Sequence, residues 1–121
     1  MRKVLLAALV LGIAVAAGPA GAKGDSDAGA KVFKKCKACH QVGPGAKSKV
    51  GPELNGIIGR PIASSPKFKY SKAFRAKKAE GIVWDEGALD AFLKKPRKAI
   101  AKNKMAFPGL KKQKQRDDVI E

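Results

Sequence analysis

The chain has 121 residues, enough for one domain, and a formal net charge of +16 from 26 Lys and Arg against 10 Asp and Glu. Its lysines are spread among apolar residues and glycines, as in segments 67–78 and 94–104, which argues against a disordered basic tail and indicates charge on a folded surface. Such a charge aids solubility and favours an anionic partner. Nucleic acid, an acidic membrane surface and an acidic protein patch all fit the charge alone.

The N-terminus has the three parts of a secretory signal peptide. Basic residues 2–3 precede an apolar stretch at 4–17, and small residues follow at 20–22, which is the order that such peptides share. An uncleaved membrane anchor is the alternative, but the stretch is short for a span of about 20 residues, and the Gly-Pro pair at 18–19 breaks a helix. We therefore expect residues 1–22 to be a cleavable signal peptide.

Cleavage is expected after Ala22, with Ala17 as the alternative site, and leaves a mature domain of residues 23–121. Export places this domain in the periplasm and argues against nucleic acid as its partner. A domain of this size buries a small core, so a large apolar cofactor would add to that core.

The first predicted helix covers residues 27–38, with Asp25 or Ser26 as its N-cap. Its apolar positions recur at helical spacing and leave the lysines on the opposite face. The apolar positions are Ala28, Val32, Phe33 and Cys36. The last turn of this predicted helix reaches the first of the two cysteines of the chain.

Residues 36–40 read Cys-Lys-Ala-Cys-His, which is the spacing for covalent attachment of a c-type haem. The chain has only two cysteines and one histidine, and all three lie in this motif. On a helix, Cys36, Cys39 and His40 share one face, so two thiols can add to the vinyl groups while the imidazole reaches the iron. A disulfide between the two cysteines is the alternative in an oxidising compartment, but the adjacent histidine favours haem.

Three further helices are predicted after the motif, at residues 70–78 with Ser71 near the start, at 84–93 with Asp85 as N-cap, and at 111–121. In the helix that Asp85 caps, the predicted buried face consists of Ala88, Leu89, Phe92 and Leu93. Residues 41–56, 57–70 and 97–109 are rich in turn signals or lack a regular pattern. No strand alternation is visible, so the predicted fold is all-α, with few helices and long loops wrapped around one haem.

Met105 is the only methionine of the expected mature chain. A thioether sulfur opposite a histidine raises the reduction potential of haem iron and suits electron transfer. A methionine that fills a gap in the core is the alternative, but Met105 follows a lysine in a loop that ends in Pro108 and Gly109. We therefore expect Met105 to be the second axial ligand.

The ordered set of motifs resembles the class I cytochrome c family, specifically the bacterial relatives of mitochondrial cytochrome c. The resemblance runs from about Gly29 to the C-terminus and implies the cytochrome c fold for residues 23–121. The blocks that carry it are residues 29–33, 36–40, 50–56, 59–60, 70–71, 82–84, 89–93 and 103–109.

The resemblance implies that Cys36 and Cys39 form thioethers to haem c. It implies that His40 is the proximal iron ligand and Met105 the distal one. The carbonyl of Pro52 would accept a hydrogen bond from the other ring nitrogen of His40, which fixes the orientation and basicity of the imidazole.

The resemblance also implies contacts to the haem propionates. Tyr70, Ser71 and Trp84 would donate hydrogen bonds to them, and Arg60 would offset their charge. Asn103 would lie near the inner propionate. The alternative is that Trp84 is only a core residue and Arg60 only a solvated surface residue.

The sequence departs from the family pattern in three places. Ala101 and Lys102 stand where Pro-Gly is usual, and Phe92 replaces a tyrosine that often lies near the methionine sulfur. The sequence stops at Glu121, roughly two turns before the last helix of the family normally ends, so we expect a shortened helix packing on Gly29 and Phe33.

The implied function is that of a soluble periplasmic electron carrier, not an enzyme. It would shuttle single electrons between membrane redox complexes in respiration or photosynthesis. Its partners would be acidic surfaces of a reductase, an oxidase or a photosynthetic reaction centre, with peripheral membrane contact and a monomeric state. The lysines expected around the haem edge are Lys35, Lys49, Lys102, Lys104 and Lys111.

Two other classes of function remain open. A haem enzyme such as a peroxidase, or a ligand sensor, needs an open iron site, and no second histidine exists to serve as its acid or base. A haem-free protein would be a basic binding protein or a thiol oxidoreductase that uses the two cysteines.

Overall fold

The structure is a computed structural model that describes Gly12 and residues 23–121. The predicted signal peptide, apart from Gly12, lies outside the described residues. The helices are α1 (Ser26–Phe33), α2 (Lys72–Ala79), α3 (Glu86–Lys94), α4 (Pro96–Ala99) and α5 (Gln113–Ile120).

Long loops follow α1 and α4, whereas α3 and α4 are separated by Lys95 alone. Within the described residues, β-pairing is limited to one isolated antiparallel bridge between Pro61 and Val83. The predicted all-α fold is therefore confirmed. Over the same residues, no helix combines the length and the apolar character that crossing a membrane requires.

Side-chain caps fix the starts of the first three helices. Asp25, Ser71 and Asp85 each accept a hydrogen bond from the backbone N–H three residues later, at 3.0, 3.2 and 2.7 Å. Such a cap satisfies one of the amide groups that a helix leaves unpaired at its N-terminus. The sequence predicted Asp85 as a cap, offered Asp25 with Ser26 as alternatives, and placed Ser71 near the start of its helix without assigning it as the cap.

The predicted end of the first helix is wrong. α1 ends at Phe33, and the next residues form turns in which the backbone N–H groups of residues 34–36 and of Cys39 bond to the carbonyl three residues earlier, as Cys36 does to Phe33 at 2.8 Å. This tighter winding has nearly the same side-chain spacing as an α-helix over one turn. His40 still bonds back to the carbonyl of Cys36 at 2.9 Å, which keeps the two residues on the same side of the chain.

α1 and α5 pack closely through Gly29, which is buried. A Cβ at this position would overlap the backbone carbonyl of Asp118. Asp118 also accepts a hydrogen bond from the backbone N–H of Asp25 at 3.0 Å and forms an ion pair with Lys114 at 2.9 Å. The hydrogen bond from Asp25, then Lys114, lower the pKa of the Asp118 carboxyl. The first and last helices are therefore joined at backbone distance.

A buried arginine joins α5 to α3 and to the loop before α5. The guanidinium of Arg116 is only 3% exposed and lies 2.8 Å from the carboxylate of Asp90. It also donates to the carbonyls of Leu110 and Lys111 at 2.7 and 2.9 Å. Burial raises the pKa of Asp90, but the hydrogen bonds from Arg116 and Gln113 more than offset it, so the net shift is downward.

The core is aromatic and lies between α2, α3 and the loops. Trp84 and Phe92 are buried with ring centroids 5.1 Å apart, and Phe74 meets Phe92 edge-on at 5.8 Å. Tyr70 and Met105 pack against this cluster and remain partly exposed. The core therefore gathers several of the residues that the sequence assigned to the cofactor.

Candidate haem-attachment site

The two cysteines of the motif are free, partly buried thiols on one tight turn. The backbone N–H groups of Cys39 and His40 both bond to the carbonyl of Cys36, at 3.0 and 2.9 Å. Burial raises the pKa of the Cys36 thiol, and Cys39 adds to the shift. The turn therefore presents two cysteine side chains on the same stretch of chain as His40, as thioether attachment of a haem needs.

His40 is oriented by the loop that follows it. Its Nδ1 lies 2.6 Å from the carbonyl oxygen of Pro52. Because a carbonyl only accepts, Nδ1 carries the proton, and Nε2 is left as the free base that can bind a metal ion. The hydrogen bond sets both the tautomer and the direction of the ring.

Gly51 and the Pro52 carbonyl together form a cradle for the His40 imidazole. Gly51 is buried, and a Cβ at its position would overlap the His40 imidazole and lie 2.8 Å from both ring nitrogens. Its backbone is held on both sides, since its N–H bonds to the carbonyl of Cys39 at 2.9 Å and its carbonyl accepts from Lys49 at 2.8 Å. The sequence indicated a turn here but did not show that the ring fits against a glycine.

A cleft of about 270 Å³ borders one side of His40. Its lining includes Phe33, Val42 and the lysines Lys37 and Lys49. Phe33, which the sequence placed against the last helix, therefore also borders the motif.

Met105 lies on the loop between α4 and α5, partly buried against the aromatic core. Its backbone N–H donates to Oδ1 of Asn103 at 2.8 Å. The Asn103 amide nitrogen in turn donates to the carbonyls of Pro96 and Ile100, at 2.9 and 2.7 Å. Both hydrogens of this amide are thus used, which differs from the expected propionate contact.

Tyr70 packs against the core that contains Trp84, and Ser71, the next residue in the chain, is buried. The Tyr70 hydroxyl accepts from the backbone of Ser65 at 2.9 Å, and the Ser71 hydroxyl caps α2. Each hydroxyl keeps its own hydrogen for a further acceptor. Trp84 is 7% exposed and is a core residue whatever else its indole binds.

Arg60 is brought to Trp84 by the backbone, because the N–H of Trp84 donates to the Arg60 carbonyl at 2.8 Å. Its guanidinium forms an ion pair with Glu53 at 3.2 Å and donates to the carbonyl of Asn55 at 2.8 Å. The sequence gave no sign of Glu53 as a partner, since the two residues share no regular element. The Arg60 side chain therefore holds the loop at residues 53–55 in place. It is also a candidate to offset the negative charge of the propionates.

The donor set fits haem c. Two unpaired thiols, an imidazole with a fixed tautomer and a thioether supply the groups that attach this cofactor and bind its iron. No group of three or more His, Cys, Asp or Glu side chains that would hold a bare metal ion occurs in the part of the chain that the structure describes.

Comparisons with known proteins agree with this donor set. A family model described as Cytochrome c matches residues 26–121. The chain is 53% identical over 106 residues to cytochrome c-554 of Methylosinus trichosporium, covering 88% of this chain and 78% of the relative. It is 42% identical over 120 residues to cytochrome c2 of Blastochloris viridis, covering 99% and 90%. The solved cytochrome c2 from Rhodospirillum centenum superposes with a TM-score of 0.74 at 39% identity, covering 80% of this chain and 93% of that one.

Proposed function

This chain belongs to the cytochrome c family, and we propose that it carries single electrons between membrane redox complexes of the bacterial periplasm. As a bacterial c-type cytochrome it holds one covalently bound haem c and is an electron-transfer protein, not an enzyme. The haem supplies an iron that changes between the ferric and ferrous states. The observation that carries the proposal is the His40 imidazole, which the Pro52 carbonyl orients beside Cys36 and Cys39.

Four side chains would hold the cofactor. Cys36 and Cys39 would form the thioethers, and His40 and Met105 would bind the iron from opposite sides. With both ligands in place, His40 and Met105 would keep water and oxygen away from the metal, and the Met105 thioether would favour the reduced state. The hydrogen bond from His40 to Pro52 supports this assignment because it leaves Nε2 free to bind.

A second group of residues would receive the propionates. Tyr70 and Ser71 keep a hydroxyl hydrogen to donate, and Trp84 lies beside them in the core. Arg60 would add a positive charge, although Glu53 already neutralises part of it. These contacts would place the carboxylates of the cofactor at the protein interior, where water is scarce.

We further propose that residues 1–22 are removed on export, so that the mature protein is residues 23–121. The order of basic, apolar and small residues supports this. The family match begins at residue 26, just after the expected cleavage site.

The partners that we propose are acidic surfaces on a reductase, an oxidase or a photosynthetic reaction centre, approached by a monomer. The lysines expected near the haem edge are all exposed, namely Lys35, Lys49, Lys102, Lys104 and Lys111. Exposed charges of one sign raise the rate at which a protein meets an oppositely charged partner.

The ligand assignment predicts a mass and a spectrum. The protein purified from the periplasm should carry the mass of one haem and lack free thiols, and its ferric form should show the weak absorption at long wavelength that reports sulfur bound to iron. Replacing Met105 by alanine should remove that absorption and leave the haem attached. Free thiols without added haem mass would refute the proposal, and high-spin features in the wild type would support an enzyme with an open iron site instead.

The partner assignment predicts a dependence on salt. Electron transfer to isolated bacterial membranes that contain a cytochrome oxidase should slow by about tenfold or more between low and high ionic strength. Lys35→Gln, next to the motif, should flatten this dependence, whereas Lys78→Gln on α2 removes the same charge elsewhere and should change it less. A rate that is flat with salt would exclude electrostatic steering.

A further inference from the structure

We propose that Asn103 is a positioning residue that holds Met105 in place for the iron by fastening its loop to α4. This inference rests on the proposed ligand role of Met105. The side-chain amide of Asn103 contacts backbone groups on both sides of itself, and these contacts make it the link between the ligand and the core.

The first step is the anchor. The Asn103 amide donates to the carbonyls of Pro96, the first residue of α4, and of Ile100, the residue that follows its last turn. The Pro96 carbonyl also accepts the backbone N–H of Ile100 at 3.0 Å, so the Asn103 side chain adds to a backbone bond that already closes this short helix. Pro96 and Ile100 are both buried, which makes α4 a rigid attachment point.

The second step is the connection to the ligand. Oδ1 of Asn103 accepts the backbone N–H of Met105 at 2.8 Å. The amide thus fixes the peptide that carries the Met105 side chain, and it does so from a group that is itself held at two points.

The third step is the strained backbone of this loop, which contacts from neighbouring residues must maintain. Lys102 has a φ of +62°, in the left-handed region that is unfavourable for a residue with a Cβ. Such a conformation persists only where the surrounding contacts enforce it. The next residue, Asn103, supplies three hydrogen bonds, whereas Ala101 and Lys102 offer neither the rigidity of proline nor the freedom of glycine.

The same bonds argue against a propionate contact. An asparagine amide has two hydrogens to donate, and both already go to backbone carbonyls. The Asn103 amide could donate to a propionate only by giving up its hydrogen bond to the carbonyl of Pro96 or of Ile100.

The test is the affinity of the ferric holoprotein for imidazole. Exogenous imidazole binds only after Met105 has left the iron, so its apparent affinity reports how often the loop opens. Asn103→Ala should bind imidazole about tenfold more tightly than the wild type, because the loop loses hydrogen bonds that each contribute modestly. Asn103→Ser keeps an acceptor for the Met105 N–H and should fall between the two.

Asn55→Ala is the matched control. Asn55 also exchanges two hydrogen bonds with a loop backbone, at Gly43, but that loop carries no thioether. Its imidazole affinity should stay within about twofold of the wild type. Should Asn103→Ala fail to fold, Asn103→Ser provides the same comparison.

An Asn103→Ala affinity equal to that of Asn55→Ala would overturn the inference. So would a variant that changes the pH dependence of the reduction potential at unchanged imidazole affinity, which would mark Asn103 as a propionate partner. A wild type without the sulfur–iron absorption would overturn the ligand role of Met105 and this inference with it. A wild type with that absorption, and an unchanged Asn103 variant, would overturn the role of Asn103 alone.

Discussion

Replacing Gly51 by alanine is expected to displace the His40 imidazole and to disturb haem ligation more than any other single-methyl change near the motif. The new Cβ would occupy the space of the ring. The backbone at Gly51 cannot retreat, because it is bonded to Cys39 on one side and to Lys49 on the other. Overpacking of this kind costs about 1–3 kcal/mol, and here a loss of the Pro52 hydrogen bond would add to it.

The measurement for Gly51→Ala is the yield and absorption spectrum of the exported holoprotein, followed by chemical unfolding. Gly87→Ala is the matched control, since a Cβ there meets its nearest atom, Asp85 Oδ1, at an ordinary 3.6 Å. Glycine within a helix is less stable than alanine by roughly 0.5–1 kcal/mol, so the control should unfold no more easily than the wild type. A Gly51→Ala protein with the wild-type spectrum and stability would show that the imidazole does not depend on this cradle.

The starts of three helices could be predicted because a cap is a local signal. Asp25, Ser71 and Asp85 each bond to an amide three residues later, so the residue type and its neighbours contain the information. The end of α1 could not be predicted, since periods of 3.0 and 3.6 residues are indistinguishable over one turn.

The candidate ligands follow from residue type alone, because the chain contains only one histidine, two cysteines and one methionine beyond Met1, and their roles stay a prediction. The contacts that hold these side chains in place could not be predicted. The cradle at Gly51 and the fastening by Asn103 depend on backbone groups whose positions follow from the folded loops. The partner of Arg60, Glu53, lies seven residues away in a segment without periodicity. Residue type therefore identified the chemistry, and long-range packing determined how it is held.

Replacing Gly29 by alanine is expected to separate α1 from α5 and to lower the free energy of unfolding substantially. The new Cβ would overlap the Asp118 carbonyl and approach the Cα of Val119 at 3.2 Å. α5 cannot move away freely, because Asp118 is bonded to the N–H of Asp25. The estimated loss is about 2–4 kcal/mol, a large share of the 5–15 kcal/mol typical of a domain.

The Gly29 and Gly51 variants distinguish the helix packing that stabilises the fold from the contacts that orient the His40 imidazole. Gly29 lies in the α1–α5 contact, so Gly29→Ala should unfold at lower denaturant concentration while its folded form keeps the wild-type haem spectrum. Gly51 touches the imidazole, so Gly51→Ala should change the spectrum of the folded protein itself. If Gly29→Ala matched Gly87→Ala in stability, the close packing of α1 on α5 would not be a support of the fold. If it changed the spectrum without losing stability, the two helices would act on the motif directly, and α1 would transmit that effect through Phe33 to Cys36.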